Sequence, residues 1–343
     1  MPNSRRLAIV SLLVAFVLLP ARTSFAWIES GHKIIAMIAW DELTPTARAA
    51  VMQALKAHPR YAKDLLSVDP SASTEPAADS AAALVPPLPD ATDRHIFANA
   101  ATWPDVVRGQ NHPMHAAYNH PAWHFIDIPV VVDNQPLPAE KPENGPPPHD
   151  IVEALNKCVA DVKNPAVSDS DKAIAVCWIE HMVGDIHQPL HAAMLVSPQF
   201  PKGDQGGNLI SLLRDPPYTN SAMKLHLIWD EMPGQFKSDD LDRYEADGIH
   251  NDPRFTRDKM ADALAVTDFM AWAKESNALA AHYAYLDGQL KGAVQSRDRS
   301  APREDIPGVP PGYIANAELV SMHQVALAGH RLADLLNRLY DAK

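Results

Sequence analysis

Apolar residues recur along most of this chain at the three- and four-residue spacing that places them on one face of a helix. Polar residues and prolines mark several boundaries: Thr44 with Pro45 opens one helix, Asp150 opens another, and Pro189 ends a third. The pattern predicts helices over residues 30–42, 45–58, 151–162, 169–187, 256–286 and 315–341.

The pattern indicates much less β-structure. Only GGNLISLL, residues 206–213, has strand character, and we expect it to form half of a small hairpin. Residues 68–93 and 130–148 are rich in proline and lack periodicity, which predicts loop insertions. Because the chain shows no internal repeat and no alternation of strands and helices, we expect a mainly α fold. The predicted architecture is a single domain of packed helices with a small β-hairpin and long loops.

Residues 1–26 have the pattern of a cleaved signal peptide. Two arginines precede an apolar run over residues 7–19, and Ser24-Phe25-Ala26 is a small-x-small cleavage site. The run is about a dozen residues, fewer than the roughly 20 that span a bilayer. Cleavage after Ala26 would make Trp27 the mature N-terminus and the protein secreted or periplasmic. The general secretory and twin-arginine routes both stay open.

Several other properties limit the possible partners. The formal net charge is −12, and removing residues 1–26 takes away three arginines and no acid, which leaves −15. This balance argues against a nucleic-acid surface built from Lys and Arg.

In an oxidising compartment Cys158 and Cys177 could pair, but both lie in helical patterns and two buried thiols are equally expected. We expect a monomer with no obligatory protein partner and no stable membrane association.

The candidate chemistry comes from histidines and acids at helical spacing. His181 with Asp185 and His226 with Asp230 are both H-x-x-x-D pairs, whose two side chains share one face of a helix. His191 follows just after the break at Pro189. The segment TWPDVVR adds an acid and an arginine, and WHFIDIP adds a histidine and an acid. Imidazole and carboxylate ligands without thiolate suit Zn²⁺ in open catalytic sites, and the ligands suffice for more than one ion.

Together these motifs resemble the S1/P1 nuclease family. In family order they are Trp27 with His32, W-x-D-x-x-R, H-F-I-D, H-x-x-G-D-x-x-Q-P-L-H, G-G-N and L-H-x-x-W-D. The later AWAKESNALA and AGHRLADLLN are similar to the family's C-terminal helices. The resemblance implies one catalytic domain over residues 27–343, with a helical fold of the phospholipase C and P1 nuclease type and three Zn²⁺ ions.

The resemblance also implies the ligands of each ion. The first Zn²⁺ would be held by Asp105, His124, His181 and one oxygen of Asp185. The second would be held by the other oxygen of Asp185, His32, and the amino nitrogen and carbonyl oxygen of Trp27. The third would be held by His191, His226 and Asp230. A free α-amino group titrates near 7.7–8.0, so zinc can displace its proton, which the amide of an uncut chain does not allow.

For the reaction, the resemblance implies hydrolysis of single-stranded DNA, RNA and nucleotides to 5′-phosphates, with 3′-nucleotidase activity. Asp105 and Arg108 would be catalytic, with Arg108 pairing with charge that develops on the phosphate. Phe125 would stack on an unpaired base, Asp127 would bind a base edge, and Asn208 would contact the scissile phosphate.

Some of these residues have simpler interpretations. Phe125 could be an ordinary core residue, and Asp127 could orient His124 instead of binding a base. His187 has no assigned role and is expected at the surface or behind a ligand. Ten further histidines, His250 and His330 among them, are assigned none. Lys224 departs from the family, where an Asn usually precedes L-H.

Two alternative functions stay open at this point. A zinc-dependent phospholipase C shares the fold, but it predicts a Glu as the last ligand and a longer gap after the N-terminal Trp. Asp230 and the short spacing from Trp27 to His32 favour the nuclease. A non-catalytic periplasmic zinc-binding protein would explain the histidines but not Arg108.

Overall fold

A computed structural model describes residues 27–67, 89–139, 146–214, 222–234, 238–294 and 305–341. The helices in these ranges are α1 (Glu29–Glu42), α2 (Pro45–Leu55), α3 (Ala91–Val106), α4 (His115–Tyr118), α5 (Ile151–Lys163), α6 (Asp169–Asp185), α7 (Leu225–Asp230), α8 (Asp239–His250), α9 (Ala261–Leu264), α10 (Phe269–Leu279) and α11 (Tyr313–Asp341). The strands are β1 (Pro129–Val131), β2 (Met194–Val196), β3 (Ile210–Leu213), β4 (Ala222–Lys224) and β5 (Ala293–Val294). Single turns of 3₁₀-helix occupy Pro121–His124 and Pro189–Ala192. The fold is mainly α, as the sequence predicts.

Helices α1 and α6 lie at the centre of the domain. In α1 every residue from Ser30 to Trp40 is buried, and in α6 every residue from Ala173 to Asp185 is buried. Helix α1 packs against α3, α6, α8 and α11, while α6 also packs against α2 and α5. A helix that is buried on all sides belongs to the interior, so polar residues on these two helices must find partners inside the protein.

The predicted caps are confirmed. The Thr44 hydroxyl accepts a hydrogen bond from Ala47 N at 3.0 Å, and Asp150 Oδ1 accepts from Val152 N at 2.8 Å and from Glu153 N at 2.9 Å. These bonds satisfy amide groups that have no partner within the first turn of a helix. Helix α11 is continuous over Tyr313–Asp341, close to its predicted range.

Several element predictions need correction. The helix expected over residues 256–286 is wrong, because the chain forms α9, α10 and a π-helical turn at Ala280–Ala284 there. Asp268 caps α10 by accepting from Ala271 N at 2.8 Å, and this local bond starts a new helix within the apolar pattern. The end of the predicted 68–93 loop is wrong too, since Ala91 begins α3. Helices α3, α4 and α8 were not predicted.

The strands form two small sheets. The predicted hairpin is confirmed: β3 pairs antiparallel with β4, with Ser211 opposite Lys224, and β5 pairs with the other edge of β3. The predicted loop at 130–148 begins instead within β1, which pairs in parallel with β2, Pro129 opposite Met194. Residues 68–88 and 140–145 of the predicted insertions lie outside the described residues.

Two remaining expectations concern cysteines and membranes. Cys158 and Cys177 are free and buried, so the two-thiol alternative is the one observed. Within the described residues, no helix has both the length and the apolar character that a bilayer crossing requires. The predicted signal peptide, residues 1–26, lies outside the described residues.

Candidate metal centre

Six elements carry the predicted side-chain ligands to one place. Helix α1 carries His32, α3 carries Asp105, α6 carries His181 and Asp185, and α7 carries His226 and Asp230. His124 and His191 lie in the two 3₁₀ turns, each of which has a proline at its first position. The fixed φ of proline starts such a turn and removes an amide that would otherwise need a partner.

An inner cluster, defined as His32, Asp105, His124, His181 and Asp185, surrounds the carboxylate of Asp185. Asp185 Oδ2 lies 3.0 Å from His124 Nδ1 and 3.1 Å from His181 Nε2. Its Oδ1 lies 3.3 Å from His32 Nε2. The facing atoms of Asp105, His32 and His181 lie within 4.8 Å of one another. One carboxylate therefore stands between three imidazoles, with a second carboxylate beside it.

An outer cluster, defined as His191, His226 and Asp230, is built on the second H-x-x-x-D pair. Asp230 Oδ1 lies 3.7 Å from His191 Nε2, and Asp230 Oδ2 lies 3.6 Å from His226 Nε2. These separations exceed hydrogen-bond length. Gln188 Nε2 donates to Asp230 Oδ1 at 2.6 Å and so orients the carboxylate.

Backbone carbonyls decide which nitrogen of three histidines is free. His181 Nδ1 lies 2.8 Å from Ala101 O, and His226 Nδ1 lies 2.6 Å from Gly206 O. His191 Nδ1 lies 2.6 Å from His124 O. Because a carbonyl only accepts, Nδ1 carries the proton in each neutral ring, and Nε2 turns a lone pair toward a carboxylate. Two acceptors that face each other need a positive charge between them, either a proton or a metal ion.

The donor set fits metal ions. Within the described part of the chain, six buried atoms of the two clusters have no hydrogen-bond partner: His32 Nδ1, His32 Nε2, His124 Nε2, Asp185 Oδ1, His191 Nε2 and Asp230 Oδ2. Buried polar atoms are almost always satisfied, so this concentration of exceptions points to ligands that are supplied from outside the chain.

The titration behaviour of the centre agrees with this fit. Burial lowers the pKa of His32, His191 and His226, and lowers that of His124 to about 4, so these rings are neutral and able to bind a metal. Burial also raises the pKa of Asp230 well above its ordinary value. A buried carboxylate of this kind needs a nearby cation to ionise.

Asp185 behaves in the opposite way to Asp230. Burial opposes its ionisation, but His181, His124 and His32 together hold the pKa of Asp185 well below its usual range. The same carboxylate, with Asp105, raises the pKa of His181 against the effect of burial. The inner cluster is therefore an assembled set of ionised carboxylates and imidazoles.

Trp27 lies against both clusters. Its indole Nε1 donates to Gly184 O at 2.9 Å, and the next amide, Ile28 N, donates to Asp230 O at 3.2 Å. Gly31 permits the position of Trp27, because a Cβ at Gly31 would lie 2.8 Å from Trp27 Cβ, and Gly184 likewise leaves room for His32, whose Nδ1 would lie 2.9 Å from a Cβ there. The contacts hold Trp27 between the segments that carry Asp185 and Asp230.

A cleft of about 350 Å³ opens beside the two clusters. It is lined by Arg108, Pro121, His124, Phe125, Asp127, Leu190, His191, Gln205, Gly206, Asn208 and His226. The three residues that the sequence analysis assigns to substrate, Phe125, Asp127 and Asn208, all line it. Phe125 is 40% exposed, so the interpretation as a core residue is wrong. Both roles considered for Asp127 stay predictions.

Polar contacts position the cations and amides of the cleft. Arg108 Nη1 donates to Asp105 Oδ1 at 2.9 Å, which links the guanidinium to the inner cluster. Asn208 Nδ2 donates to Gln205 O at 3.0 Å, and Lys224 Nζ donates to Asn208 Oδ1 at 3.4 Å. These bonds hold two positive side chains at the edge of a metal-binding cleft.

Sequence reasoning missed Gln205 and misplaced His187. Gln205 reaches the cleft through a left-handed backbone, φ 59°, and the following Gly206 and Gly207 are the signal for such a turn. His187 is fully buried, not at the surface. Its Nδ1 lies 2.7 Å from Val183 O, and Arg331 Nη1 donates to its Nε2 at 2.9 Å, so it holds α6 against α11.

A helical domain that gathers imidazoles and carboxylates beneath an open cleft defines a metal-dependent hydrolase. The chain belongs to the S1/P1 nuclease family, whose family model matches residues 27–341. It is similar to Endonuclease 2 of Arabidopsis thaliana, with 25% identity over 353 aligned residues, 99% of this chain and 100% of the relative. It is also similar to Endonuclease 3 of the same plant, with 24% identity, covering 77% of this chain and 83% of the relative. The chain is therefore a nuclease, a phosphodiester hydrolase whose substrate is nucleic acid.

Proposed function

We propose that this protein is an exported, zinc-dependent nuclease that hydrolyses single-stranded DNA and RNA to 5′-phosphorylated products, and that it also removes phosphate from 3′-nucleotides. One observation carries the proposal. Six buried ligand atoms, which have no hydrogen-bond partner among the described residues, converge from five elements beside a cleft that exposes an aromatic ring.

The two clusters would together hold three Zn²⁺ ions. The inner cluster would hold two ions, with Asp185 between them and the amino nitrogen and carbonyl oxygen of Trp27 completing one shell. The outer cluster would hold the third. Bound there, Zn²⁺ supplies a water of lowered pKa and neutralises phosphate charge.

The side chains of the cleft would bind and orient the phosphate of the substrate. Arg108, fixed by Asp105, offers a planar pair of donors to the non-bridging oxygens of a phosphate. Asn208, fixed by Gln205 and Lys224, offers an amide on the other side of the same cleft. Each group is held by a second contact, so it is oriented before substrate arrives.

The preference for single strands follows from Phe125. An aromatic ring binds the face of a base, and that face is accessible only when the base is unstacked and unpaired. Because the ring is 40% exposed and adjoins His124, a base on it would bring the neighbouring phosphate toward the clusters. Stacking accepts any base, so the proposed activity covers DNA and RNA alike.

The test uses mature protein that begins at Trp27. Zinc content is measured first, and hydrolysis is then compared on single-stranded DNA, duplex DNA, RNA, a 3′-nucleotide and phosphatidylcholine. We expect zinc at three equivalents, faster cleavage of single strands than of duplex, and products with 5′-phosphate ends. Activity on the lipid alone would favour the phospholipase alternative, and zinc uptake without any hydrolysis would favour the binding-protein alternative.

A further inference from the structure

A third group of possible metal ligands lies away from the cleft. Glu42 ends α1, His250 ends α8, and His330 lies in the middle of α11. One ligand atom from each lies within 4.8 Å of the other two. Glu42 is ten residues beyond His32 on α1, which at 1.5 Å per residue places this cluster about 15 Å from the inner cluster.

His330 has the same arrangement as three of the proposed zinc ligands. Its Nε2 lies 3.0 Å from Phe255 O, so in the neutral ring Nε2 carries the proton. Its Nδ1 then turns a lone pair toward Glu42 Oε1, only 2.7 Å away. Two acceptors at this distance require a positive charge between them. His181, His191 and His226 are each oriented by a backbone carbonyl toward a carboxylate in the same way.

The surroundings supply a second imidazole and negative charge. His250 Nε2 lies 3.0 Å from the same oxygen, Glu42 Oε1. Arg257 Nη1 donates to the other oxygen, Oε2, at 2.6 Å, and its Nη2 donates to Asp334 at 2.8 Å. The guanidinium therefore binds Oε2 and neutralises only part of the negative charge, and Oε1 faces the two histidines.

Access and chemistry both suit a small cation. His330 is 1% exposed at its side chain, whereas Glu42 is 14% and His250 is 25% exposed, so one side of the cluster is open to solvent. A proton on His330 would bridge only His330 Nδ1 and Glu42 Oε1. A metal ion would bind one atom of each of Glu42, His250 and His330 at the same time.

We propose that Glu42, His250 and His330 form a further transition-metal site of the two-histidine, one-carboxylate type, which takes Zn²⁺ and ties α1, α8 and α11 together. Zinc bonds to nitrogen and oxygen are about 2.0–2.2 Å, so binding would move the ligand atoms apart by about 0.5 Å. The fourth position would hold water on the solvent side. The site would be structural, since Glu42 lies at the opposite end of α1 from His32 and the inner cluster, which is beside the proposed substrate cleft.

The test compares zinc stoichiometry between variants, and it does not depend on the nuclease activity. Mature protein is equilibrated with micromolar Zn²⁺, desalted and analysed for metal. We expect Glu42→Gln and His250→Gln each to hold one equivalent less than the parent protein, with unchanged hydrolysis of single-stranded DNA. The increase in Tm that Zn²⁺ produces should also be smaller in both variants.

His282→Gln is the matched control, because His282 is an exposed histidine paired with Asp287 at 3.0 Å. It should hold as much zinc as the parent. His250→Gln, at the open edge, is the decisive variant if Glu42→Gln folds poorly. Equal zinc content in the parent and in His250→Gln would overturn the proposal and leave the cluster as an ion pair in which His330 is protonated.

Discussion

His32 Nε2 lies 3.3 Å from Asp185 Oδ1, and within the described residues neither atom has a hydrogen-bond partner. The other oxygen of Asp185 faces His124 and His181. A single carboxylate thus joins α1, α6 and the 3₁₀ turn that ends at His124. The inner cluster therefore depends on the negative charge of Asp185 and on both of its carboxylate oxygens.

We expect Asp185→Asn to lose zinc from the inner cluster and to lower kcat/KM on single-stranded DNA by more than about 100-fold. The amide removes the negative charge and turns an N–H₂ group toward an imidazole. Zinc analysis with steady-state kinetics measures both effects. Asp169→Asn, an exposed acid in the first turn of the same helix, is the control and should retain both. Normal zinc content in Asp185→Asn would contradict the bridging role.

The proposed role of Trp27 depends on its free amino group. We expect a protein with one extra alanine before Trp27 to lose zinc and most activity, because its nitrogen there would be an amide that does not deprotonate at neutral pH. The comparison is with protein released from a cleavable fusion so that it starts at Trp27. Full zinc content and activity in the extended protein would exclude the amino terminus as a ligand.

Phe125 should matter for nucleic acid more than for the metal. We expect Phe125→Ala to lower kcat/KM on single-stranded DNA by about tenfold, the loss expected for one stacked base, while zinc content stays unchanged. Phe125→Trp should restore most of the activity. Leu137→Ala, which shortens another exposed apolar side chain at 62% exposure, is the control. Equal activity of Phe125→Ala and the parent would contradict the proposal that Phe125 stacks on a base.

The parts of the site that sequence predicts well are local. Residues four apart on a helix share a face, so the His181–Asp185 and His226–Asp230 pairs follow from spacing alone. The contact of His32 with Asp185 joins two helices far apart in sequence, and only the order of family motifs indicated it. The position of Gln205 in the cleft depends on its left-handed backbone conformation, and the only sequence signal for that conformation is the pair of glycines that follows.

The fold shows the same division. Caps such as Thr44 and Asp150 are local hydrogen bonds and were predicted. The parallel pair of β1 with β2 joins three-residue strands on either side of α5 and α6, and so short a segment has no clear periodicity. The break at Asp268 was missed because the apolar spacing continues through it. The strand pairing joins segments that are distant in sequence, and the Asp268 cap is a local hydrogen bond that the spacing of apolar residues does not reveal.

We expect Lys224 to strengthen the binding of single-stranded DNA more than that of a mononucleotide. Its Nζ reaches Asn208 at the edge of the cleft, and within the described residues it has no carboxylate partner. We expect Lys224→Asn to raise KM for single-stranded DNA about three- to tenfold and to reduce the salt dependence of KM by about one phosphate contact. A 3′-mononucleotide should be affected less. Lys274→Asn, an exposed lysine on α10, is the control; an unchanged salt dependence in Lys224→Asn would contradict the prediction.

Glu180 carries no predicted function, yet it is fully buried in α6 and both of its carboxylate oxygens lack a hydrogen-bond partner within the described residues. Burial alone raises its pKa well above the ordinary value, so it is protonated in the folded protein. The folded state then holds a proton that the unfolded chain releases above its ordinary pKa. Folding stability must therefore fall as pH rises from that value toward the folded-state pKa.

Glu180→Gln removes this titration while keeping the size of the side chain. Near pH 4.5 we expect the parent and Glu180→Gln to have similar free energies of unfolding. As pH rises, the free energy of unfolding of the parent should fall relative to that of the variant. The limiting slope is about 1.4 kcal/mol per pH unit. Thermal midpoints in excess Zn²⁺ at pH 5 and pH 8 measure the difference. Glu318→Gln, an exposed glutamate on α11, should follow the parent at both values. Parallel profiles for the parent and Glu180→Gln would mean that Glu180 is ionised in the fold and is stabilised by a partner.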